Sequence, residues 1–337
     1  MKTPGQRDDA AERVLVELER QLADFKRARD DNGAASVLAA MGVIHRDAGR
    51  RGHAIAALEA ALELARRAGP APDPEFILHL IRDLAVLLRL EGAWNRARDL
   101  FVTACRMAEE AGDRAGLAEA LAAMGDFHHA NREWELALLQ YDGACRIREA
   151  LSDEKGLALV WNNIGGTRAR MGDAEGALAA FRTSQEIQER LGDRTALAIT
   201  LGNIGSVLHG EARLREAQEY LERSAGIQEE LGEAQACAIT LNVLGTVQKK
   251  AGNLPAALAT YARARDLMVA AGDEARAALA MYNMAVIKED RREYQAALRL
   301  LEAVVDIDER LGLPDLRQDR EALARVRRKL AGADPGG

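Results

Sequence analysis

Residues 162–173 read NNIGGTRARMGD, with Gly165, Gly166 and Gly172, a threonine and two arginines packed into twelve positions. Such a stretch has two readings. A phosphate cradle follows a strand, opens the free N-terminus of a helix and carries GxxxxGK[ST]. That signature is missing here. The second reading is a helical hairpin, in which glycines serve packing and turning. The choice is made forty residues on, where GNIGSVLHGEAR (202–213) repeats the pattern, and again at NVLGTVQKKAGN (242–253).

The step is constant along most of the chain. The ends of the units recur as LSD (151–153), LGD (191–193), LGE (231–233), AGD (271–273) and LGL (311–313), with AGD (111–113) upstream. Stacking the units aligns fixed columns. One reads Gly42, Ala85, Gly125, Gly165, Gly205, Gly245, Ala285. Twelve residues later stand Ala54, Ala97, Ala137, Ala177, Ala217, Ala257, Ala297. Leu58, Phe101, Tyr141, Phe181, Leu221, Tyr261 and Leu301 follow four residues on. Leu64, Met107, Ile147, Ile187, Ile227, Leu267 and Ile307 lie six beyond those. Seven units therefore share one pattern, and only GPAPDPEF (69–76) lengthens a step, by three residues.

Apolar residues inside a unit fall at helical spacing, not in alternation. In the fourth unit the spacing predicts a first helix over 155–171, with Val160, Trp161 and Ile164 inward, a turn at Gly172-Asp173, and a second helix over 174–190 ended by Gly192. A glycine within a helix costs about 1 kcal/mol relative to alanine. Close approach of two helix backbones at the Gly165 column would offset that cost.

Trp161, Gly165, Ala177 and Phe181 follow the spacing of the tetratricopeptide repeat, which this chain resembles over residues 35–313. The forty-residue unit, with its long second helix ending in LGD, is similar to repeats of Pins/LGN-type scaffold proteins and kinesin light chains, and to sensor regions of bacterial regulators. The family's proline after the second helix is missing, since QEIQERLGD (185–193) continues helically. The resemblance implies an all-α fold, a right-handed superhelix (α-solenoid) of about seven helix-turn-helix repeats. The repeats would cover 35–74, 78–117, 118–157, 158–197, 198–237, 238–277 and 278–313. Residues 1–34 would hold a tail and a capping helix over 11–30, with Val14, Leu15, Leu18, Leu22 and Phe25 inward. Residues 314–337 would hold a second cap, starting at Pro314 with Leu316, Leu323, Val326 and Leu330 inward, and a disordered Ala333–Gly337 end.

Fold alone does not name a function. Family members hold extended peptides in a concave groove lined by first helices. Carried onto this chain, the groove positions of the last four repeats are Asn162, Asn163, Asn203, Ser206, Asn242, Thr246, Tyr282 and Asn283. Val243 interrupts the column of Asn163, Asn203 and Asn283. A side-chain amide both donates and accepts, so a row of them can pair with peptide bonds; equally, each can bond the neighbouring repeat. Arg170, His209, Lys249 and Lys250 lie near the row and would favour an acidic partner, or else form solvated helix ends. The first three repeats carry Arg46, Asp47, His79, Arg82, Asp83, Arg89, Glu119, Asp126 and His129 instead, a mixed surface that could bind a partner or pair internally. The lysine and asparagine triplet of chaperone-tail binders is not found.

Composition narrows the classes further. The formal charge is −7 and no basic stripe stands out, which disfavours nucleic acid. Cys105, Cys145 and Cys237 are far apart, without CxxC, and fit packing in a reducing compartment. Trp94 and Trp134 share a column and read as packing residues. His128-His129 form no HExxH motif, and neither a nucleophile–base pair nor a cofactor motif is found. The expectation is a non-catalytic scaffold or adaptor without metal or cofactor, cytoplasmic, with no membrane span and of bacterial composition. Its partner would be a protein or peptide, with an acidic one favoured. The alternatives are a sensing module that acts on a partner chain and a self-assembling scaffold.

Overall fold

The computed structural model describes residues 4–67 and 74–333, with side chains over 12–67 and 75–332. Among the described residues there are sixteen α-helices and no strand. After α1 (Pro4–Ala28) the helices come in pairs: α2 (Asp31–Asp47) and α3 (Arg51–Arg67), α4 (Pro74–Leu90) and α5 (Trp94–Ala111), α6 (Arg114–Ala130) and α7 (Trp134–Leu151). The series continues with α8 (Glu154–Met171) and α9 (Ala174–Leu191), α10 (Arg194–Gly210) and α11 (Leu214–Glu230), α12 (Ala234–Lys250) and α13 (Leu254–Ala270). It closes with α14 (Glu274–Asp290), α15 (Tyr294–Leu311) and α16 (Leu316–Ala333). The chain divides into two compact units, residues 1–163 and residues 164–337.

Each turn has a local cause. The turn after a first helix holds a residue in the left-handed region, two places after the helix at Gly49, Gly92 and Gly252 and one place after it at Gly172, with φ of 72°, 75°, 81° and 83°. Arg132, Ala212 and Arg292 occupy the same place at 63°, 57° and 60°, where a side chain is strained. The aspartates that end four of the units, and Asp173 in the turn inside the fourth, do a job that their spacing did not disclose. Asp113, Asp153, Asp173, Asp193 and Asp273 cap the following helix, each accepting the amide three residues on at 2.9–3.1 Å.

The glycine column is met first by a side chain, with a facing backbone close behind at two positions, where a Cβ on Gly205 would lie 3.3 Å from the Ala217 carbonyl oxygen and one on Gly42 3.5 Å from that of Ala54. A Cβ on Gly165 would lie 2.6 Å from the Phe181 ring, on Gly125 2.5 Å from Tyr141, on Gly205 2.6 Å from Leu221 and on Gly245 2.7 Å from Tyr261. The large residue sixteen places later thus rests on the bare helix surface. Burying such a side chain contributes about 1.5–3 kcal/mol, more than the glycine costs.

In unit 1 the core runs through Leu58, Ile81, Leu84, Leu88 and Phe101 to Phe127. The N-terminal helix begins at Pro4, earlier than expected, and Val14 faces solvent rather than the core, while Leu15 is buried. In unit 2 one cluster joins Leu178, Phe181, Ile204, Leu221, Leu241 and Leu244. A second seats α16 by Ala322, Leu323 and Val326 on Leu301 and Val305. Pro314 lies in the turn before α16, which starts two residues later than the sequence suggested. The GPAPDPEF loop and the Asp334–Gly337 end lie largely or wholly outside the described residues. No helix among the described residues is long and apolar enough to cross a membrane.

Candidate functional site

The first helices present one exposed strip each, set by the 3.6-residue period. On α12 it reads Ile239, Asn242, Thr246 and Lys249; on α10 it reads Ile199, Asn203, Ser206 and His209. On α14 the strip begins with Leu279 and Asn283. In unit 1, α6 carries Glu119 and Asp126, with the Ala123 between them buried, and α8 carries Leu159, Asn162 and Asn163.

The asparagines are half-buried, and at least part of their capacity is used between repeats. Asn283 Nδ2 donates to Asn242 Oδ1 at 3.3 Å, and Asn163 Nδ2 donates to Asp126 Oδ1 at 2.9 Å. An amide has two donor hydrogens and two acceptor lone pairs, so these bonds leave Asn242 both its donors and Asn283 its acceptor oxygen. The hydroxyls lean on the fold. Ser206 bonds the Gly202 carbonyl of its own helix at 2.9 Å. Thr246 bonds the Asn242 carbonyl at 3.0 Å and the Tyr261 hydroxyl at 2.8 Å. Tyr282 meets α16, where Gln318 Nε2 donates to its hydroxyl at 3.3 Å.

The Tyr261–Thr246 bond has a counterpart in unit 1, where the Tyr141 hydroxyl donates to Asp126 at 2.7 Å. At Leu58, Phe101, Phe181 and Leu301 of that column the partner position is Val43, Val86, Gly166 or Val286, while Leu221 faces Ser206, which bonds its own helix instead. Both tyrosines of the column, Tyr141 and Tyr261, stand fifteen places after a polar residue, Asp126 and Thr246. Desolvation pushes the Asp126 carboxyl up, opposed by its bonds from Tyr141 and Asn163 and by Arg82 and His129 nearby.

Of the basic set, Arg170, Lys249 and Lys250 make no ion pair among the described residues. Arginines on the second helices behave differently: Arg223 meets Glu189 at 3.2 Å, and Arg263 meets Glu229. His209 does not belong with the cations. Burial lowers its pKa, Lys250 adds to the effect, and its Nε2 is enclosed without a partner, so the ring stays neutral near pH 7.

The charged first-helix face of unit 1 pairs internally. Arg46 holds Asp83 at 2.7 Å, and Arg82 lies 3.8 Å from Glu119. These pairs are part-exposed, so each contributes under about 1 kcal/mol. The remaining candidates are structural. His128 Nδ1 lies 2.5 Å from Glu133 Oε2, and the His129 and Trp134 rings meet edge-on at 5.2 Å; Trp94, expected to pack, is instead exposed. The cysteines are free; burial pushes the Cys145 thiol up to about 12 and Cys105 to about 11, away from thiolate chemistry. No cluster of metal-ligating side chains occurs among the described residues.

One feature escaped the sequence reading. Ile199, Ile239 and Leu279 stand at equivalent places on α10, α12 and α14 and are 51%, 45% and 51% exposed. Each lies one helical turn before the amide row. Leu159 holds the same column in unit 1 at 51%, followed upstream by Glu119 and His79.

Family models described as tetratricopeptide repeat match residues 156–230 and 235–310, and another of that description matches 35–67. Together they cover over half of the chain. No curated protein matches it in sequence. Among solved structures, a signal transduction ATPase with numerous domains and a tetratricopeptide repeat sensor, from Pyrococcus horikoshii, superposes with TM-score 0.68 at 15% identity. That match covers 96% of this chain but 52% of the other, so the chain spans about half its length. Aspartyl phosphate phosphatase F from Bacillus subtilis gives TM-score 0.58 at 12% identity, over 98% of this chain and 95% of that one. A Rap protein complexed with competence and sporulation factor gives 0.51 at 16%, over 96% and 99%. At these identities the likeness is one of fold.

Proposed function

The chain belongs to the tetratricopeptide-repeat family, and on that premise we propose that it is a protein-interaction scaffold or adaptor that holds an extended segment of a partner protein on its first-helix face. The observation that carries the reading is the half-buried amide row of Asn203, Asn242 and Asn283 on α10, α12 and α14, in which the bond between Asn283 and Asn242 leaves Asn242 its donors and Asn283 its acceptor oxygen. An extended chain offers unpaired backbone N–H and C=O groups to such a row; a helix or a closed sheet does not. Lys249, Lys250 and Arg170 sit at the C-terminal ends of their helices and add attraction for carboxylates. In unit 1, Asn162 and Asn163 stand as further amides of the same kind, with Asp126 beside Asn163.

A second reading is favoured by two structural neighbours: one carries a tetratricopeptide repeat sensor, and one is complexed with competence and sporulation factor. In it the same face senses a ligand and passes the signal to a partner chain.

The test is a peptide selected from a displayed random library for binding to the full chain. Asn203→Ala with Asn283→Ala removes two amides, each worth about 0.5–1.5 kcal/mol if it loses a net hydrogen bond. About tenfold weaker binding is expected. Unchanged affinity for every selected peptide contradicts the reading. Small-angle scattering with and without the peptide addresses sensing, which requires the dimensions to change.

A further inference from the structure

Unit 2 keeps its first helices free of charge where they meet water. We infer that the face formed by α10, α12 and α14 takes an extended partner segment whose facing side chains are uncharged and mainly aliphatic, and that it rejects acidic and basic segments alike. This rests on the preceding reading in one respect, that the face holds an extended segment.

Asp, Glu, Lys and Arg make up 29% of the chain. Residues 195–208 of α10, 235–248 of α12 and 277–287 of α14 nevertheless hold none of them, and no histidine. Burial does not account for this. Thr195, Ile199 and Ser206 on α10, Gln235 and Ile239 on α12, and Leu279 on α14 are exposed. Solvated positions on the second helices of the same unit are charged, as at Arg215, Glu219, Glu222 and Arg223 on α11 and Arg263 and Asp266 on α13. Depletion of charge beside a charged surface is the composition of an interface core.

The repeat architecture does not impose it either. In unit 1, Glu119 stands in the column of Ile199, Ile239 and Leu279, Asp83 in that of Asn203 and Asn283, and Asp126 in that of Ser206 and Thr246. The same positions therefore accept acids in one unit and exclude them in the other.

Charges at the margins of the face are answered locally. Arg276, at the start of α14, is held by Asp273, and Lys288 by Glu293. Glu289 is taken by Arg325 and Lys329, and His209 is neutral. Lys249 and Lys250 end α12, but Glu211 follows α10 and Asp290 ends α14, so the helix ends carry both signs. A carboxylate drawn to the two lysines lies at the edge of this face, not on it.

The amides can serve a partner's backbone whatever its side chains are. Neither they nor the aliphatic residues can neutralise a charge. A charged side chain laid here loses hydration without gaining a counter-ion. An aliphatic one adds contact with Ile199, Ile239 and Leu279, which keep about half of their surface in water. One such residue on each of three successive helices is a patch, not scattered surface hydrophobicity. Discrimination thus comes from the cost of the wrong segment as well as from the contacts of the right one.

The experiment selects short random peptides from a displayed library on the full chain. The tightest binder is then synthesised with a fluorescent label and read by anisotropy. Selected sequences are expected to share a core of aliphatic and uncharged polar residues. Replacing a central aliphatic residue of the peptide by glutamate, and separately by lysine, should weaken binding at least about tenfold in each case. These substitutions leave the protein untouched, so its stability does not enter. Ile239→Lys should weaken the parent peptide by a similar factor, more than Ile239→Ser does, and should narrow the deficit of the glutamate peptide. An unchanged melting temperature verifies that both variants fold.

Selected peptides with charged cores overturn the inference. So does an effect of only one of the two charged substitutions, an undiminished affinity of Ile239→Lys, or a selection that yields no binder. If peptides with charged cores still respond to Asn203→Ala with Asn283→Ala, the interaction reading survives that failure; if they do not respond, both fall. Concentration-dependent self-association abolished by Ile239→Lys would assign the face to a second copy and would likewise overturn the inference.

Discussion

Glu289 offers a direct test of how the last helix is held. It is 7% exposed at the end of α14, and three charge-assisted bonds converge on it. Arg325 grips both oxygens at 2.9 Å, and Lys329 reaches one at 2.7 Å. The bond from Arg325 is the main cause that brings the carboxyl from 4.5 down to about 2. A shift of that size corresponds to about 3 kcal/mol in favour of the charged folded form. Arg325 and Lys329 keep 45% and 46% of their side-chain surface in water, so both regain hydration when the partner is lost. The expected loss for Glu289→Gln at pH 7 is therefore about 2 kcal/mol. The assay is native-state hydrogen exchange of the α16 amides. A loss of this size accelerates exchange up to about thirtyfold. Because the folded pKa is depressed, the stabilisation is full above the unfolded value and is lost as pH falls from about 4.5 through about 2. Wild-type α16 should loosen in that window, and the variant should show less of the effect. Unchanged α16 protection in Glu289→Gln would refute the reasoning.

The neighbouring acid pair acts in the opposite sense. Burial, a hydrogen bond to Asp308 and the charges of Asp308 and Asp315 push Asp319 up to about 7, so its contribution is complete below 3.8 and fades as pH rises toward 7. Asp319→Asn should raise the denaturation midpoint at pH 8 by the equivalent of about 1 kcal/mol and flatten the profile between pH 4 and pH 8; an unchanged slope there would count against the buried pair. Ala212→Gly relieves a residue at φ 57° and should stabilise the chain by about 0.5–1 kcal/mol in urea unfolding, with a destabilised variant contradicting the turn account. Gly245→Val would drive a side chain into the Tyr261 ring, 2.7 Å from the position of its Cβ, and should cost about 1–3 kcal/mol. A neutral or stabilising result in thermal melts would show that the ring does not rest on the helix.

Much of the fold was legible because one pattern is written seven times. Gly165 and Phe181 mean little alone, but with Gly205 and Leu221, and Gly245 and Tyr261, they locate helix pairs and the side chain that covers each glycine. What escaped depended on which side of a helix reached water. Ile199, Ile239 and Leu279 sit among buried neighbours such as Ala198, Thr200 and Ala238, and apolar identity alone reads them into the core. Tyr282 was read as a groove residue, yet its hydroxyl meets Gln318 of the terminal helix, whose contacts lie outside the repeat pattern. His209 was read with the lysines, and only its surroundings show it neutral. The capping aspartates were visible as letters in LGD and LSD, but their role requires the turn geometry that brings Oδ1 to the amide three residues on.

The central claim is that partners dock on the first helices. A photo-crosslinking amino acid placed at Ser206, exposed on α10, and separately at Arg215, whose side chain on α11 is 94% exposed, tests it directly. With a library-selected peptide, crosslinking is predicted at position 206 and not at 215. Crosslinking confined to 215 would contradict the account.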